Sequence, residues 1–260
     1  MEVVILPDAA AGAGVVADAV AALLGRRPEA VLGLATGSSP VPVYDELVAR
    51  YRAGAVSFAQ ARAFLLDEYV GLPAGHPQSY ATYIDRVFTS RVDFGPGAVR
   101  SPDGTASDLA AAGVAYEAAI KAAGGVDLQL LGIGGDGHIG FNEPGSSLAS
   151  RTRLKTLTGQ TRADNARFFA SLDDVPRHVI TQGVGTILAA RHLVLVAQGA
   201  TKAAAVALAV EGPVTAMVPA SALQLHPHVT VVLDEAAASR LSLASYYRET
   251  YANKPAWQGL

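Results

Sequence analysis

Short β-rich apolar runs alternate with longer Ala-rich stretches along almost the whole chain, and this rhythm limits the fold more than any single residue does. Val3-Val4-Ile5-Leu6 is followed by Asp8 to Gly25, which is apolar-periodic and closes on a glycine, a common helix ending. Val31-Leu32-Gly33-Leu34-Ala35 leads through Thr36-Gly37-Ser38-Ser39-Pro40 into a helical stretch from Val43 to Tyr51. Phe64-Leu65-Leu66 precedes Asp67-Glu68-Tyr69. Ser107 to Ala123 reads as a helix and Val126 to Ile133 as a strand ending in a glycine cluster. Val179 to Thr181, Leu193 to Ala197 and Val229 to Leu233 are expected strands, with a helix over Thr201 to Val210 between the last two. Continuous apolar strands flanked by helices call for a parallel sheet covered on both faces. The expected fold is therefore α/β: a single doubly wound, mainly parallel sheet with helices on both faces, Rossmann-like. No linker or repeat divides the chain, so residues 1–260 are expected as one domain. Residues 140–177 are less regular and more charged, and read as a partly mobile flap.

Hydrophobic residues make up 50% of the 260 and charged residues 17%, enough for a sizeable core and too apolar for global disorder. Twenty Lys and Arg against 23 Asp and Glu leave a formal charge of −3. That balance argues against nucleic acid or a membrane surface as partner, since both call for a basic footprint. The absence of Cys excludes disulfides, thiolate catalysis and Cys-based metal sites. Met1 to Leu6 lacks a basic leader and reaches Pro7 too soon for a signal peptide, and no uncharged apolar run approaches membrane-span length. A cytoplasmic protein is the expectation.

In open α/β sheets, ligands sit beyond the carboxyl ends of the strands. Three polar clusters fall there: Thr36 to Pro40, Asp67 to Tyr69, and Gly134 to Glu143. The first is a strand-to-helix turn with three hydroxyls, one Gly and a Pro suited to the first helical position. Its backbone N–H groups would attract an anion such as phosphate, although a plain N-capped helix explains the same residues. Asp67-Glu68 places two carboxylates on opposite sides of an extended chain. One could take a proton next to a carbonyl; the alternative is a helix cap or a surface acid. Gly132, Gly134 and Gly137 carry the spacing G-x-G-x-x-G, but Ile139 to Gly145 contains two Gly and a Pro, so the helix a dinucleotide site requires does not follow. The same stretch reads better as Asp136, His138 and Glu143 gathered beside glycines. An imidazole flanked by acids can shuttle protons near neutrality. One His without a second at ligand spacing makes a poor metal site, so no metal is expected. Arg167 on the flap and Lys202 after Gly199 could meet a phosphate or could be surface charges. His226-Pro227-His228 reads as a turn that could reach the ligand.

Taken together the segments resemble the glucosamine-6-phosphate deaminase family. The resemblance rests on Leu34-Ala35-Thr36-Gly37-Ser38-Ser39-Pro40, Leu66-Asp67-Glu68-Tyr69-Val70-Gly71-Leu72, Gly134 to Pro144, Ser150 to Thr158, and Leu223-Gln224-Leu225-His226-Pro227. It covers essentially the whole chain in order. The second motif together with that of His138 separates the chain from the related 6-phosphogluconolactonases, which share the fold and a similar Gly-Asp-Gly-His element.

The resemblance implies conversion of glucosamine 6-phosphate and water to fructose 6-phosphate and ammonia, in amino-sugar catabolism, with no redox cofactor and no obligatory metal. It implies that Asp67 moves the C2 proton to C1 and that His138 assists ring opening. Asp136 and Glu143 would orient His138, and Thr36, Gly37, Ser38, Arg167 and Lys202 would hold the phosphate. Some members are hexamers activated by N-acetylglucosamine 6-phosphate, and Ser146, Arg153 and Lys155 resemble that second phosphate site. The position of the family's allosteric tyrosine holds Arg248, which argues against that activation and against the hexamer. A homo-oligomer is the one protein partner suggested. The competing readings are a lactonase acting on 6-phosphogluconolactone and a non-catalytic sugar-phosphate sensor, against which the lack of a DNA-binding module argues.

Overall fold

The apolar runs form the strands, and the Ala-rich stretches form the helices between them. A computed structural model describes residues 1–255 and 257–260. In chain order the elements are β1 (Glu2–Leu6), α1 (Ala9–Arg26), β2 (Val31–Leu34), α2 (Val41–Arg52), β3 (Arg62–Leu65), β4 (Asp67–Tyr69), α3 (Tyr80–Val87), β5 (Val99–Arg100) and α4 (Leu109–Ala122). There follow β6 (Leu128–Leu131), β7 (Arg153–Thr156), α5 (Gly159–Asn165), β8 (His178–Thr181), α6 (Val184–Ile187), β9 (His192–Ala197), α7 (Ala203–Val210), β10 (Val229–Asp234) and α8 (Ala244–Ala252). Asp8, Ser79, Asp108 and Thr158 cap α1, α3, α4 and α5 through side-chain oxygens, each satisfying an N–H that the helix itself leaves free.

Seven strands make one wholly parallel sheet in the order β1-β10-β9-β6-β2-β3-β5. The chain steps outward from β2 through β3 to β5. Helix α4 then carries it back, and β6, β9 and β10 step the other way. The reversal between β2 and β6 opens a crevice at the carboxyl edge, where such folds bind ligands. Successive strand residues face opposite layers. Val4, Leu32, Leu34, Ala63, Leu65, Leu128, Leu130, Val194 and Val196 pack under α1, α2 and α3. Val3, Ile5, Val31, Phe64, Leu131, Leu193, Leu195 and Val231 pack under α4, α6 and α7. The doubly wound parallel sheet expected from the sequence is the one observed.

By length and composition α1 is apolar enough to cross a membrane. Its face of Ala13, Val16, Ala17, Val20 and Leu24 instead covers the sheet, while Asp18 pairs with Arg50 of α2 at 2.5 Å.

The departure from expectation is a second, three-stranded antiparallel sheet, β4-β8-β7. Val179 to Thr181 is a strand, as expected, but it pairs antiparallel with β4 (Asp67↔Thr181, Tyr69↔Val179) and with β7 (Arg153↔Thr181). A short apolar run reads the same in either sheet, so pattern alone could not separate them. The same sheet fixes residues 153–156 as β7, inside the stretch expected to be irregular.

Candidate active site

The turn after β2 is built to hold its backbone still. Gly37 has φ 102°, a conformation open to glycine. The buried Tyr44 hydroxyl donates to Ala35 O at 2.7 Å and accepts from Ala35 N at 3.0 Å. Tyr83 from α3 donates to Gly37 O at 3.2 Å, and Gln198, just past β9, donates to Ser39 O at 3.1 Å. Thr36 to Ser38 are left facing the crevice edge, Gly37 and Ser38 exposed. Pro40 caps α2 and Pro42 lies in its first turn, so the helix-initiating proline is the second of the two.

Beyond β6 no helix follows, in keeping with the two Gly and the Pro of Ile139 to Gly145. The chain folds on itself instead: Gly137 N donates to Gly134 O and Gly134 N to His138 O, with a bridge between Ile139 and Asn142. The His138 ring lies so close over Gly134 that a Cβ there would stand 2.2 Å from it. His138 Nδ1 is 2.7 Å from Asp136 Oδ1, a close contact rather than an aligned hydrogen bond. The contact with the imidazole, strengthened by the His138 backbone N–H at 3.2 Å, holds the Asp136 carboxyl down to about 2.

Asp67 opens β4 immediately past β3 and is 4% exposed. Among the described residues no hydrogen bond reaches its carboxylate. Burial in an apolar setting, and secondarily the charge of Glu68, push it up to about 8. A Cβ placed on Gly140 would be 3.5 Å from Asp67 Oδ2 and 3.1 Å from Thr181 Oγ1. The carboxylate therefore lies against the backbone two residues past His138. Glu68 points away and caps α3 through Tyr80 and Ala81 N–H, both at 2.9 Å. Of the two adjacent acids, one faces the site and the other is the helix cap.

Lys202 closes the turn leading into α7, half-buried, and burial lowers its pKa while Asp136 raises it and Arg167 lowers it further. The two cations and Asp136 thus share one electrostatic neighbourhood. Arg167 is exposed, its guanidinium 4.7 Å over the Phe168 ring. Glu143 departs from its expected place. Its Oε1 accepts from Thr158 Oγ1 at 3.1 Å and from Thr161 Oγ1, so its observed partners are the first turn of α5 and not His138. Arg153 donates to Asn142 Oδ1 at 2.8 Å and burial lowers its pKa. Lys155 follows two residues along the same face of β7. The Ser146 hydroxyl is buried and, among the described residues, unpartnered. His226 and His228 lie at the start of β10, at the sheet edge away from the crevice. There His226 bonds Ala190 O and His228 stacks on His192, so the suggestion that they reach the ligand is corrected. Arg248 pairs with Glu235 at 2.5 Å on the surface.

Tyr80 and Tyr83 of α3 were not anticipated. Tyr80 reaches the Thr36 hydroxyl, and its ring stacks on Phe141 at 5.8 Å and 6°. The eight residues of α3 follow a loop with two Pro and two Gly, and only the Ser79 cap position could have marked the helix. Among the described residues no group of three or more His, Cys, Asp or Glu could hold a metal ion.

Acid, imidazole–carboxylate pair and cations at the switch point of a parallel sheet define an α/β protein that handles a small anionic ligand. The family model "Glucosamine-6-phosphate isomerases/6-phosphogluconolactonase" matches residues 8–232, and the chain belongs to that family. It is similar to the glucosamine-6-phosphate deaminases of Mycolicibacterium smegmatis, at 67% identity, and of Beutenbergia cavernae, at 69%, each over 261 residues and the full length of both chains. Among solved structures it is similar to a monomeric glucosamine-6-phosphate deaminase, with TM-score 0.90 and 42% identity over 92% of this chain and 100% of the other. It shares the fold alone with the 6-phosphogluconolactonase from Trypanosoma cruzi, with TM-score 0.74 and 20% identity over 93% and 97% of the two chains.

Proposed function

We propose that the chain is a glucosamine-6-phosphate deaminase, converting glucosamine 6-phosphate and water to fructose 6-phosphate and ammonia. Full-length relatives at 67% and 69% identity carry that name. The observation that carries the chemistry is Asp67, a carboxylic acid that no hydrogen bond reaches among the described residues, buried beside Gly140, burial pushing it up to about 8.

The phosphate docks on the Thr36–Ser38 turn between Lys202 and Arg167, which fixes the hexose before any bond changes. His138, paired with Asp136, transfers the anomeric hydroxyl proton to the ring oxygen, so the C1–O5 bond opens to the aldehyde. Asp67 then takes the proton from C2, the electron pair passing through C1 to the carbonyl oxygen, which is protonated to give an enolamine. Return of a proton to C1 yields a C2 imine, and water adds there to expel ammonia and leave the ketone. A base whose pKa lies near the working pH serves both the removal and the return.

In this reading Glu143 ties the catalytic loop to residues 158–175, the excursion between β7 and β8 that would act as the flap within a single domain. Family resemblance supports a second phosphate site at Ser146, Arg153 and Lys155, while Arg248 on the surface supports a chain without that activation. The monomeric relative supports a monomeric working unit of 26.7 kDa in place of the homo-oligomer. A cytoplasmic role in N-acetylglucosamine breakdown completes the proposal. The test is incubation with glucosamine 6-phosphate. Ammonia and fructose 6-phosphate in equal amounts are expected; their absence, or hydrolysis of 6-phosphogluconolactone in their place, would overturn it.

A further inference from the structure

Glu68 is a buried carboxylate adjoining Asp67 to which the chemistry above gives no part. Both its oxygens are committed to backbone: Oε1 accepts from Tyr69 N–H at 2.8 Å and Tyr80 N–H at 2.9 Å, and Oε2 from Ala81 N–H at 2.9 Å. Tyr80 and Ala81 open α3, so Glu68 brings negative charge to the end of the helix that favours it. Ser79 adds its own acceptor for Thr82 N–H at 3.1 Å. The start of α3 is thereby fastened to the strand that carries Asp67.

From there α3 leads to the phosphate turn. Tyr80 meets the Thr36 hydroxyl, and Tyr83 donates to Gly37 O at 3.2 Å. A continuous path runs from Asp67 through the next peptide bond to the Glu68 carboxylate, into α3, and out through the Tyr83 hydroxyl to Gly37. The two ends of that path are the two ends of the proposed substrate: the carbon that loses a proton and the phosphate. The titratable groups that interact electrostatically with Asp67 are Glu68 and Tyr69 on its own strand, Tyr80 from α3 and Tyr116 from α4. Burial raises all three phenols, so Glu68 is the formal charge among them.

We propose that Glu68 is a positioning residue for the proton transfer, fixing through α3 the separation between the Asp67 carboxyl and the phosphate-holding turn Thr36–Ser38. This rests on the deaminase reading for its substrate. A second consequence comes from its charge, which opposes ionisation of Asp67.

The test compares the full chain with Glu68→Gln and Glu68→Asp. In Glu68→Gln an amide N–H₂ confronts Ala81 N–H donor to donor, and the charge is gone. Its KM for glucosamine 6-phosphate is expected to rise about tenfold, and the acid limb of kcat/KM to move about one pH unit lower. Glu68→Asp keeps the charge but shortens the reach, so the limb returns toward the wild-type position while KM stays high. A merely structural role would lower the active fraction without moving the limb. A folded Glu68→Gln with unchanged KM and an unchanged limb would overturn the proposal. If that variant does not fold, Tyr80→Phe/Tyr83→Phe decides: it cuts the path at the turn and should raise KM at least about threefold, and a wild-type KM would overturn the proposal. Two readouts stand apart from turnover. Inorganic phosphate should bind Glu68→Gln more weakly in calorimetry, and the inflection of urea stability near pH 8 should move down. A chain that forms no ammonia sinks the deaminase reading, while these two measurements still judge Glu68.

Discussion

Replacing Asp67 with Asn should make the protein more stable while stopping its chemistry. The carboxyl is buried and pushed up to about 8, against 3.8 for an unperturbed Asp. Between those values the folded protein holds a proton that the unfolded chain releases, so stability is complete below pH 4 and declines as pH rises toward 8. The decline is about 1.4 kcal/mol per pH unit, which reaches about 4 kcal/mol at pH 7. Asn has nearly the same shape and does not titrate. The difference between Asp67→Asn and wild type should therefore be near zero at pH 4, grow steadily, and amount to a melting-temperature gain on the order of 8 °C at pH 7. Urea titrations followed by far-UV circular dichroism at pH 4, 5.5, 7 and 8 would measure it. The same variant should lose about 10²–10⁴-fold in kcat, the usual contribution of a general base. A stability difference that does not vary with pH, or an Asn variant less stable than wild type at pH 7, would refute the placement of Asp67 in a desolvated site.

Lys202→Ala should raise KM for glucosamine 6-phosphate by about 10- to 100-fold with little change in kcat, since it removes a charged contact remote from C2; steady-state kinetics decide this. Gly134→Ala would set a Cβ 2.2 Å from the His138 ring, and the roughly 1 Å by which the ring must retreat should cost about 10²-fold in kcat, with circular dichroism showing the fold retained. At the opposite sheet edge, His192 is lowered to about 4 chiefly by burial and then by His228, His226 and Lys254. Stability is complete above pH 6.5 and falls as pH drops toward 4, by up to about 3 kcal/mol on this account. His192→Asn should lose that acid slope in urea titrations, whatever its stability at neutral pH.

Much of the site could be read from residues because the parallel sheet does the gathering. Once β2, β3 and β6 are recognised as buried strands, their carboxyl ends must lie side by side, and Thr36, Asp67 and His138 come with them. Asp136 at 2.7 Å from His138 is a pairing two residues apart in sequence, within reach of local reasoning. What escaped depends on long-range pairing. The antiparallel β4-β8-β7 sheet joins segments more than a hundred residues apart, and nothing in Val179-Ile180 distinguishes it from a parallel strand. Helix α3 escaped because the loop before it is rich in Pro and Gly, and the carboxylate that joins Ser79 in capping it, Glu68, comes from a strand. Glu143 was read as a neighbour of His138 from proximity in sequence, yet its nearest hydroxyls arrive from Thr158 and Thr161, beyond β7. His226 and His228 were misplaced for the opposite reason: a polar turn before a strand lies at the amino edge, away from the crevice.

In the proposed mechanism a single carboxyl carries hydrogen between two neighbouring carbons of a hexose anchored by its phosphate. Running the reaction in deuterium oxide and reading C1 of the fructose 6-phosphate by NMR tests this directly. Deuterium on one stereochemical face of C1 is expected, made by the wild type and lost in Asp67→Asn. Label spread over both faces, or an Asp67→Asn protein that still deuterates C1 at the wild-type rate, would contradict it.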